Sequence, residues 1–277
     1  MLFNLEEPVI LQHPRKDLKA FLVALEKNSN FCFVRFSDGE MEILRNQELE
    51  IGPDIVKTSA GKVNFSYPIY DFKNFSPERD TKFREKLIES AKYFAPGYIK
   101  GIPASSNSAI PDRDLMITFN TGVSRNLTFA DLLINSNYKR FRRKFLPIFM
   151  ERPNVYVVTN FRARIESNLH NWTLIPVSDN FIASYETDFN RIMAILTEVP
   201  PDSIILSSAS SLSNLLGAEI WKIRQDITFL DIGTSLHDIF GLGFGIREYH
   251  QLIGKLNGRE LLLRFKYKAR KGYKMRW

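Results

Sequence analysis

Residues 31–47, FCFVRFSDGEMEILRNQ, change from apolar to polar within a few positions. The first six, FCFVRF, predict a strand buried on both faces, because a strand covered by helices on both sides shows a continuous apolar run. The next four, SDGE, bring a hydroxyl, two carboxylates and a glycine to the end of that strand. Ser37 and Glu40 have the spacing of a capping box, which predicts that a helix begins here.

Similar β-rich runs recur along the chain, and segments with helical spacing of apolar residues lie between them. The further predicted strands are residues 98–102, 154–160, 173–177, 203–208 and 227–233. The clearest helical segments are residues 77–94, where Phe83, Leu87 and Phe94 fall roughly on one face, 187–199 and 210–225. This alternation predicts an α/β fold, Rossmann-like, with a mainly parallel sheet and helices on both faces. The sequence has no internal repeat, and its loops rich in Pro, Ser and Asn, residues 103–113 and 177–184, do not divide the chain. We therefore expect one domain over residues 1–253.

The positive charge of the chain is concentrated at its C-terminal end. The formal net charge is +7, and residues 254–277 hold nine Lys or Arg and one Glu, which leaves −1 for residues 1–253. A near-neutral body argues against a nucleic-acid-binding surface spread over the fold. We expect residues 254–277 to form a basic, aromatic extension that meets an anionic membrane surface; a solvated charged tail is the alternative.

The compartment is predicted from what the sequence lacks. The single cysteine, Cys32, lies in an apolar run and cannot form an intrachain disulfide, which fits a reducing cytoplasm. The first residues lack the apolar core of a secretion signal, and no stretch approaches the roughly 18–20 apolar residues of a membrane span. We therefore expect a cytoplasmic protein, peripheral at the inner membrane face.

Polar residues follow several predicted strands, and in open α/β sheets ligands bind beyond the carboxyl ends of the strands. If the chain is still extended there, Asp38 and Glu40 project to one side and suit Mg²⁺ or Mn²⁺. Gly39 permits a tight turn, and Arg35 is able to pair with a phosphate. The alternative is that these residues only cap a helix.

Three other strand ends carry candidate residues, each with an ordinary structural alternative. Ser208, Ser210 and Ser211 lie where a helix N-terminus would bind phosphate, although such a run also serves as an N-cap. Asp231 would accept hydrogen bonds from a ribose or sugar hydroxyl. His237 and Asp238 would act as a general base or as a further ligand, although a lone histidine is more often structural. Arg162 and Arg164 would bind phosphate, or lie unengaged on the surface. No Cys/His cluster indicates zinc, and no G-x-S-x-G motif indicates an α/β-hydrolase.

Several of these segments together resemble the GT-D fold glycosyltransferases, a bacterial family first known as a domain of unknown function. FVRFSDGEMEIL resembles the family's RFGDGE signature. Further along the chain, in the same order, LTFADLLINSNY, NVYVVTNFRAR, DSIILSSASSLSNLLGAEIWK, FLDIGTSLHDIFGLG and GIREYH resemble other family segments. The resemblance covers about residues 30–250, and only its first motif is specific. Three departures are Ser37 for the usual glycine, Phe129-Ala130-Asp131 for the family's GDA, and His237 where an aspartate is expected.

The resemblance implies a Rossmann-like transferase that uses a nucleotide-activated sugar, most simply a UDP-sugar. The family's Asp-x-Glu pair falls on Asp38 and Glu40, which would hold Mn²⁺ or Mg²⁺ against the diphosphate. We expect catalytic roles for Asp38, Glu40, His237 and Asp238. We expect these residues to bind the nucleotide sugar: Arg35, Gly39, Asn160, Arg162, Ser208, Ser210, Ser211, Asp231, Gly233, Thr234 and Arg247. The acceptor would be a hydroxyl of a bacterial surface glycan, a glycoconjugate or a lipid-linked glycan, and no nucleic-acid partner is expected.

Two other functions stay open at this point. One is a non-catalytic α/β module that uses its basic extension to bind a membrane or a polyanion such as RNA. The other is a metal-dependent α/β phosphohydrolase with Asp38 and Glu40 as its ligands.

Overall fold

The predicted first strand forms the buried centre of the protein. In the computed structural model, β1 spans Cys32–Arg35, and the side chains of Phe31, Cys32, Phe33 and Val34 are fully buried. Cys32 and Val34 belong to one core cluster, whereas Phe31 and Phe33 belong to a second. Because successive strand side chains point to opposite faces, this apolar run serves two core layers at once.

The structure describes residues 14–52, 55–59, 61–63, 68–103, 110–122, 124–165, 169, 171–242 and 249–250. Arg247 and the basic extension at residues 254–277 lie outside the described residues, so the predictions made for them stay predictions.

The described residues form seven α-helices and eleven strands. The helices are α1 Pro14–Glu26, α2 Asp38–Leu44, α3 Thr81–Lys92, α4 Ile110–Phe119, α5 Tyr138–Glu151, α6 Tyr185–Thr197 and α7 Ser211–Ile223. The strands besides β1 are β2 Leu49–Ile51, β3 Val56–Thr58, β4 Gly61–Val63, β5 Lys73–Phe75, β6 Tyr98–Ile102, β7 Leu127–Phe129, β8 Val155–Asn160, β9 Trp172–Val177, β10 Ile204–Ser207 and β11 Thr228–Asp231.

Seven of the strands form one parallel sheet in the order β7-β6-β1-β11-β10-β8-β9. Every neighbouring pair in this sheet is parallel. The first core cluster packs α3, α6 and α7 on one face, and the second packs α1 and α5 on the other. The predicted α/β fold, with a parallel sheet and helices on both faces, is confirmed.

The predicted strands and helices are present, with local differences. β7 was not predicted as a strand; it pairs with β6 at the edge of the sheet. In the segment 77–94, Phe83 and Leu87 are buried as expected, but Phe94 lies beyond the end of α3 and is 47% exposed. The prediction that Phe94 shares their buried face is therefore wrong, because the helix ends before it.

A second sheet, not predicted from the sequence, is small and antiparallel, with the order β4-β3-β2-β5. It follows α2 directly, and β5 pairs with β2 through Ile51 and Lys73. This sheet places Lys73 beside the carboxyl end of β1. Within the described ranges, no helix combines the length and the apolar character that a bilayer crossing requires.

Candidate functional site

A cleft of about 610 Å³ opens at the carboxyl ends of the central parallel strands. Residues that follow β1, β10 and β11 form its wall, and residues 70–73 of the small sheet region close one side. This is the edge where open α/β sheets bind ligands. Most of the polar residues singled out at the strand ends therefore meet in this cleft.

Glu40 is both a helix cap and part of the cleft wall. Its Oε2 accepts hydrogen bonds from the backbone N–H of Ser37 at 3.1 Å and from the Ser37 hydroxyl at 2.7 Å. The predicted capping box is thus present, and the helix begins at Asp38. The expectation that Asp38 and Glu40 lie on one side of an extended chain is wrong, because residues two apart in a helix do not face each other. Both nevertheless line the cleft, Asp38 exposed and Glu40 buried.

Glu40 also reaches the start of α7 through a serine. The Ser210 hydroxyl donates to Glu40 Oε1 at 3.2 Å and accepts a hydrogen bond from Lys73 Nζ at 2.7 Å. Ser210 is the N-cap of α7 and has φ +49° and ψ −138°, a conformation that serine rarely adopts. Such backbone strain clusters at functional sites. Lys73, which the sequence analysis missed, is thereby joined to the Asp38–Glu40 turn.

Arg35 lines the cleft and lies against Asp231. Its Nε is 3.3 Å from Asp231 Oδ1, and its Nη1 donates to the carbonyl oxygen of Ala130 at 3.3 Å. The Gly233 N–H donates to the same Oδ1 of Asp231 at 3.0 Å. Burial raises the pKa of Asp231 above its ordinary value, and Arg35 opposes that shift.

Two features favour glycine at position 233. Its φ of +49° is left-handed, and a Cβ built on it would lie 1.9 Å from Arg35 Nη2. The backbone therefore passes directly over the guanidinium, and any side chain here would displace it.

His237 and Asp238 are neighbours in the sequence but serve different regions of the structure. His237 is 4% exposed, lines the cleft, and its Nε2 lies 2.7 Å from the Ser208 hydroxyl. Asp238 instead forms two 2.8 Å hydrogen bonds with Arg142 of α5 and is not among the cleft residues. The structure brings His237, but not Asp238, to the candidate site.

The remaining candidates divide in the same way. Asn160 lines the cleft and donates to Asp179 at 2.8 Å, whereas Arg162 is ion-paired with Asp179 and lies outside the cleft lining. Ser211 is fully buried as the first residue of α7 and does not reach the cleft. The other candidates that line the cleft are Gly39, Ser208, Ser210, Gly233 and Thr234.

The charge of the cleft is strongly uneven. Among the described lining residues there are five carboxylates against two cationic side chains, Arg35 and Lys73. The carboxylates are Asp38, Glu40, Asp71, Asp131 and Asp231. Arg35 is already paired with Asp231, so an anionic ligand such as a diphosphate would need further positive charge in this cleft.

The carboxylates fit a divalent cation, although the described residues contain no cluster of three or more His, Cys, Asp or Glu side chains arranged to hold one. Mg²⁺ is commonly bound by one or two carboxylates, with waters and substrate phosphates completing its octahedral shell. Asp38 and Glu40 supply such a pair on the wall of the cleft. Glu40 has acceptor capacity left after its capping bonds, since a carboxylate offers about four lone-pair sites.

Comparison with known proteins identifies the fold. No protein-family model matches the sequence, and no curated protein matches it. One similar solved structure is described as a new glycosyltransferase (DUF1792) from Streptococcus sanguinis; it is 13% identical over 90% of this chain and 88% of its own, with a TM-score of 0.52. Another is described as a selenomethionine-substituted domain of unknown function 1792; it is 12% identical over 81% of this chain and 78% of its own, with a TM-score of 0.50. At such identities the likeness concerns the fold, and this chain has the fold of the DUF1792 structures, as its sequence resemblance implied.

Proposed function

We propose that this protein is a glycosyltransferase that moves a sugar from a nucleotide-sugar donor, a UDP-sugar, to an acceptor hydroxyl with the help of a divalent cation. The observation that carries the proposal is the carboxylate-rich cleft at the strand ends, which has Asp38 and Glu40 on its wall. It occurs in a fold shared with a protein described as a glycosyltransferase. The resemblance of RFSDGE to the family signature supports the same assignment.

Asp38 and Glu40 are the residues assigned to the cation, Mn²⁺ or Mg²⁺. The ion would neutralise negative charge on the leaving diphosphate. Glu40 is held in place by Ser37 and Ser210, so its carboxylate is preorganised. Asp231, which lies at the end of β11, is assigned to orient a hydroxyl of the donor.

His237 is the better of the two candidate bases, because Asp238 is bound to Arg142 outside the cleft. If the transfer inverts the anomeric centre, the acceptor oxygen bonds to the anomeric carbon in a single displacement while the bond to the diphosphate breaks. The electron pair of that bond leaves with the diphosphate, and the acceptor proton passes to His237 Nε2. Before the acceptor binds, the Ser208 hydroxyl contacts that nitrogen and holds the ring.

Calorimetry of UDP binding, with and without Mn²⁺, tests the roles of Asp38 and Glu40. We expect Asp38→Asn and Glu40→Gln to weaken Mn²⁺-dependent UDP binding about tenfold or more, because each removes a charged ligand. Gln is accepted in capping boxes, so Glu40→Gln separates the loss of charge from the loss of the cap. Glu26→Ala, an exposed carboxylate on α1, is the control. Equal UDP affinity in all four proteins would exclude the metal role.

Product analysis separates the proposal from its rivals. Mass spectrometry of reactions with a panel of nucleotide sugars and glycan acceptors should show acceptor-dependent transfer. Release of free sugar or phosphate without acceptor dependence would indicate a phosphohydrolase. Steeply salt-dependent RNA binding without sugar-nucleotide affinity would indicate a polyanion-binding module.

A further inference from the structure

Lys73 places a positive charge against the Asp38–Glu40 turn. Its Nζ donates to the Ser210 hydroxyl at 2.7 Å, and that hydroxyl donates to Glu40 Oε1. A Cβ built on Gly39 would lie only 2.8 Å from Lys73 Nζ. The ammonium group therefore lies against the backbone between the two proposed metal ligands, and Gly39 leaves the space that it occupies.

The backbone of Lys73 is anchored on both sides, which distinguishes it from an ordinary surface lysine. Asn180 accepts a hydrogen bond from the N–H of Asn74 at 2.8 Å, and its own N–H donates to the carbonyl of Phe72 at 3.1 Å. Lys73 itself pairs with Ile51 of β2. The start of β5 is thus held between the small sheet and the loop before α6, and the lysine is directed into the cleft.

The charge balance of the cleft indicates what this lysine does. Of the two cationic side chains in the described lining, Arg35 is paired with Asp231 below Gly233. Lys73 contacts a neutral hydroxyl, which takes one of the three N–H groups that an ammonium offers. Lysine commonly binds phosphate as a point charge.

We propose that Lys73 binds the diphosphate of the nucleotide directly and gives the site a positive charge that does not depend on a metal. This inference rests on the proposed function, which it deepens. Ser210 holds the ammonium next to Asp38 and Glu40, so the lysine would supply its charge beside any cation that these two carboxylates hold. Nucleotide affinity then has two parts, one lost with the metal and one lost with Lys73.

The competing interpretation is that Lys73 only neutralises the carboxylates when no ligand is bound. The two interpretations differ in how removal of the charge affects nucleotide binding without metal. If Lys73 only neutralises the carboxylates, Lys73→Met leaves metal-free nucleotide binding unchanged. If Lys73 binds phosphate, Lys73→Met weakens nucleotide binding even when every metal ion is chelated.

The test is calorimetry of UDP binding to the full chain in excess EDTA and, separately, in Mn²⁺. The variants are Lys73→Met, Lys73→Arg and the control Lys62→Met, an exposed lysine on β4 of the same small sheet. We expect Lys73→Met to weaken UDP binding in EDTA about tenfold. Lys73→Arg should keep most of the wild-type affinity for UDP, and Lys62→Met should have the wild-type affinity. Thermal unfolding of each variant verifies that it is folded.

Each outcome has a distinct meaning. Wild-type protein that binds no UDP in Mn²⁺ would contradict the proposed function itself. Wild-type protein that binds UDP in Mn²⁺ but not in EDTA would overturn the metal-independent contact alone. Equal affinity of wild type and Lys73→Met for UDP in EDTA would overturn the role of Lys73 and leave the proposed function standing.

Discussion

At the scale of single residues, Glu40 combines a structural and a proposed chemical role. One of its oxygens caps α2 through Ser37, and the other contacts Ser210 at the cleft. Sequence spacing alone presents these roles as alternatives. In the structure the two oxygens of this carboxylate face different groups, Ser37 and Ser210.

Gly233 supports a prediction about stability at the same scale. Gly233→Ala should lower the free energy of unfolding by more than about 2 kcal/mol, because it adds a methyl group where the Arg35 guanidinium lies and also strains a left-handed backbone. Gly241→Ala is the matched control: φ is +66° there, and the nearest atom to an added Cβ is 3.9 Å away. Gly241→Ala should lower the free energy of unfolding by only about 1 kcal/mol. Urea unfolding of both variants measures the difference, and equal losses would show that the contact with Arg35 is unimportant.

At the scale of elements, the small antiparallel sheet accounts for what the sequence analysis missed at the site. The strands β2 to β5 are each three residues long, too short for alternation to stand out from background. The Gly-Pro dipeptide at residues 52–53, before β3, was the available signal. Because this sheet was not predicted, nothing in the sequence linked Lys73 to the RFSDGE turn.

A second element, β6, carries a buried lysine whose ionisation predicts a pH effect. Lys100 is fully buried, donates to the carbonyl of Ala91 near the end of α3, and burial lowers its pKa to about 7. Between about pH 7 and the ordinary lysine value of 10.5, the unfolded chain binds the proton and the folded chain does not. The free energy of unfolding therefore rises with pH across that window.

Lys100→Met should remove this dependence. At pH 6 the wild type bears the full cost of the buried ammonium, so the variant should be more stable by over about 1 kcal/mol. The advantage should shrink by pH 9. Urea unfolding of the wild type and Lys100→Met at pH 6 and pH 9 measures the difference in stability. A difference that is the same at both pH values would contradict a lowered pKa of Lys100.

At the scale of the whole molecule, the basic extension and the cleft belong to different parts of the chain. Residues 254–277 carry +8 and lie outside the described residues, whereas the cleft is rich in carboxylates. We propose that the extension binds the anionic face of a membrane while the cleft acts on a glycan or lipid-linked acceptor. Each basic residue near such a surface contributes on the order of 1 kcal/mol.

Flotation with vesicles containing anionic lipid tests this proposal. The full chain should float with the vesicles at low salt and be released as salt is added, whereas a chain ending at residue 253 should stay in the dense fraction. UDP binding by both chains, measured in parallel, verifies that the cleft is intact. Equal flotation of the two chains would show that the extension is not the membrane contact.

The sequence by itself determined the class of fold and the strand ends that form the site. Continuous apolar runs such as residues 31–34 arise because a central parallel strand is buried on both faces, and this signal is local. The capping spacing of Ser37 and Glu40 was readable for the same reason, since both partners lie within one helical turn.

Only the tertiary structure decided which candidates share the cleft. Asp238 pairs with Arg142 of α5, Arg162 pairs with Asp179, and Lys73 comes from a different sheet to reach Ser210. These contacts join residues 17 to 137 positions apart, so no local pattern encodes them. The packing of helices and sheets decides which strand end a side chain faces. That packing forms only when the whole chain has folded.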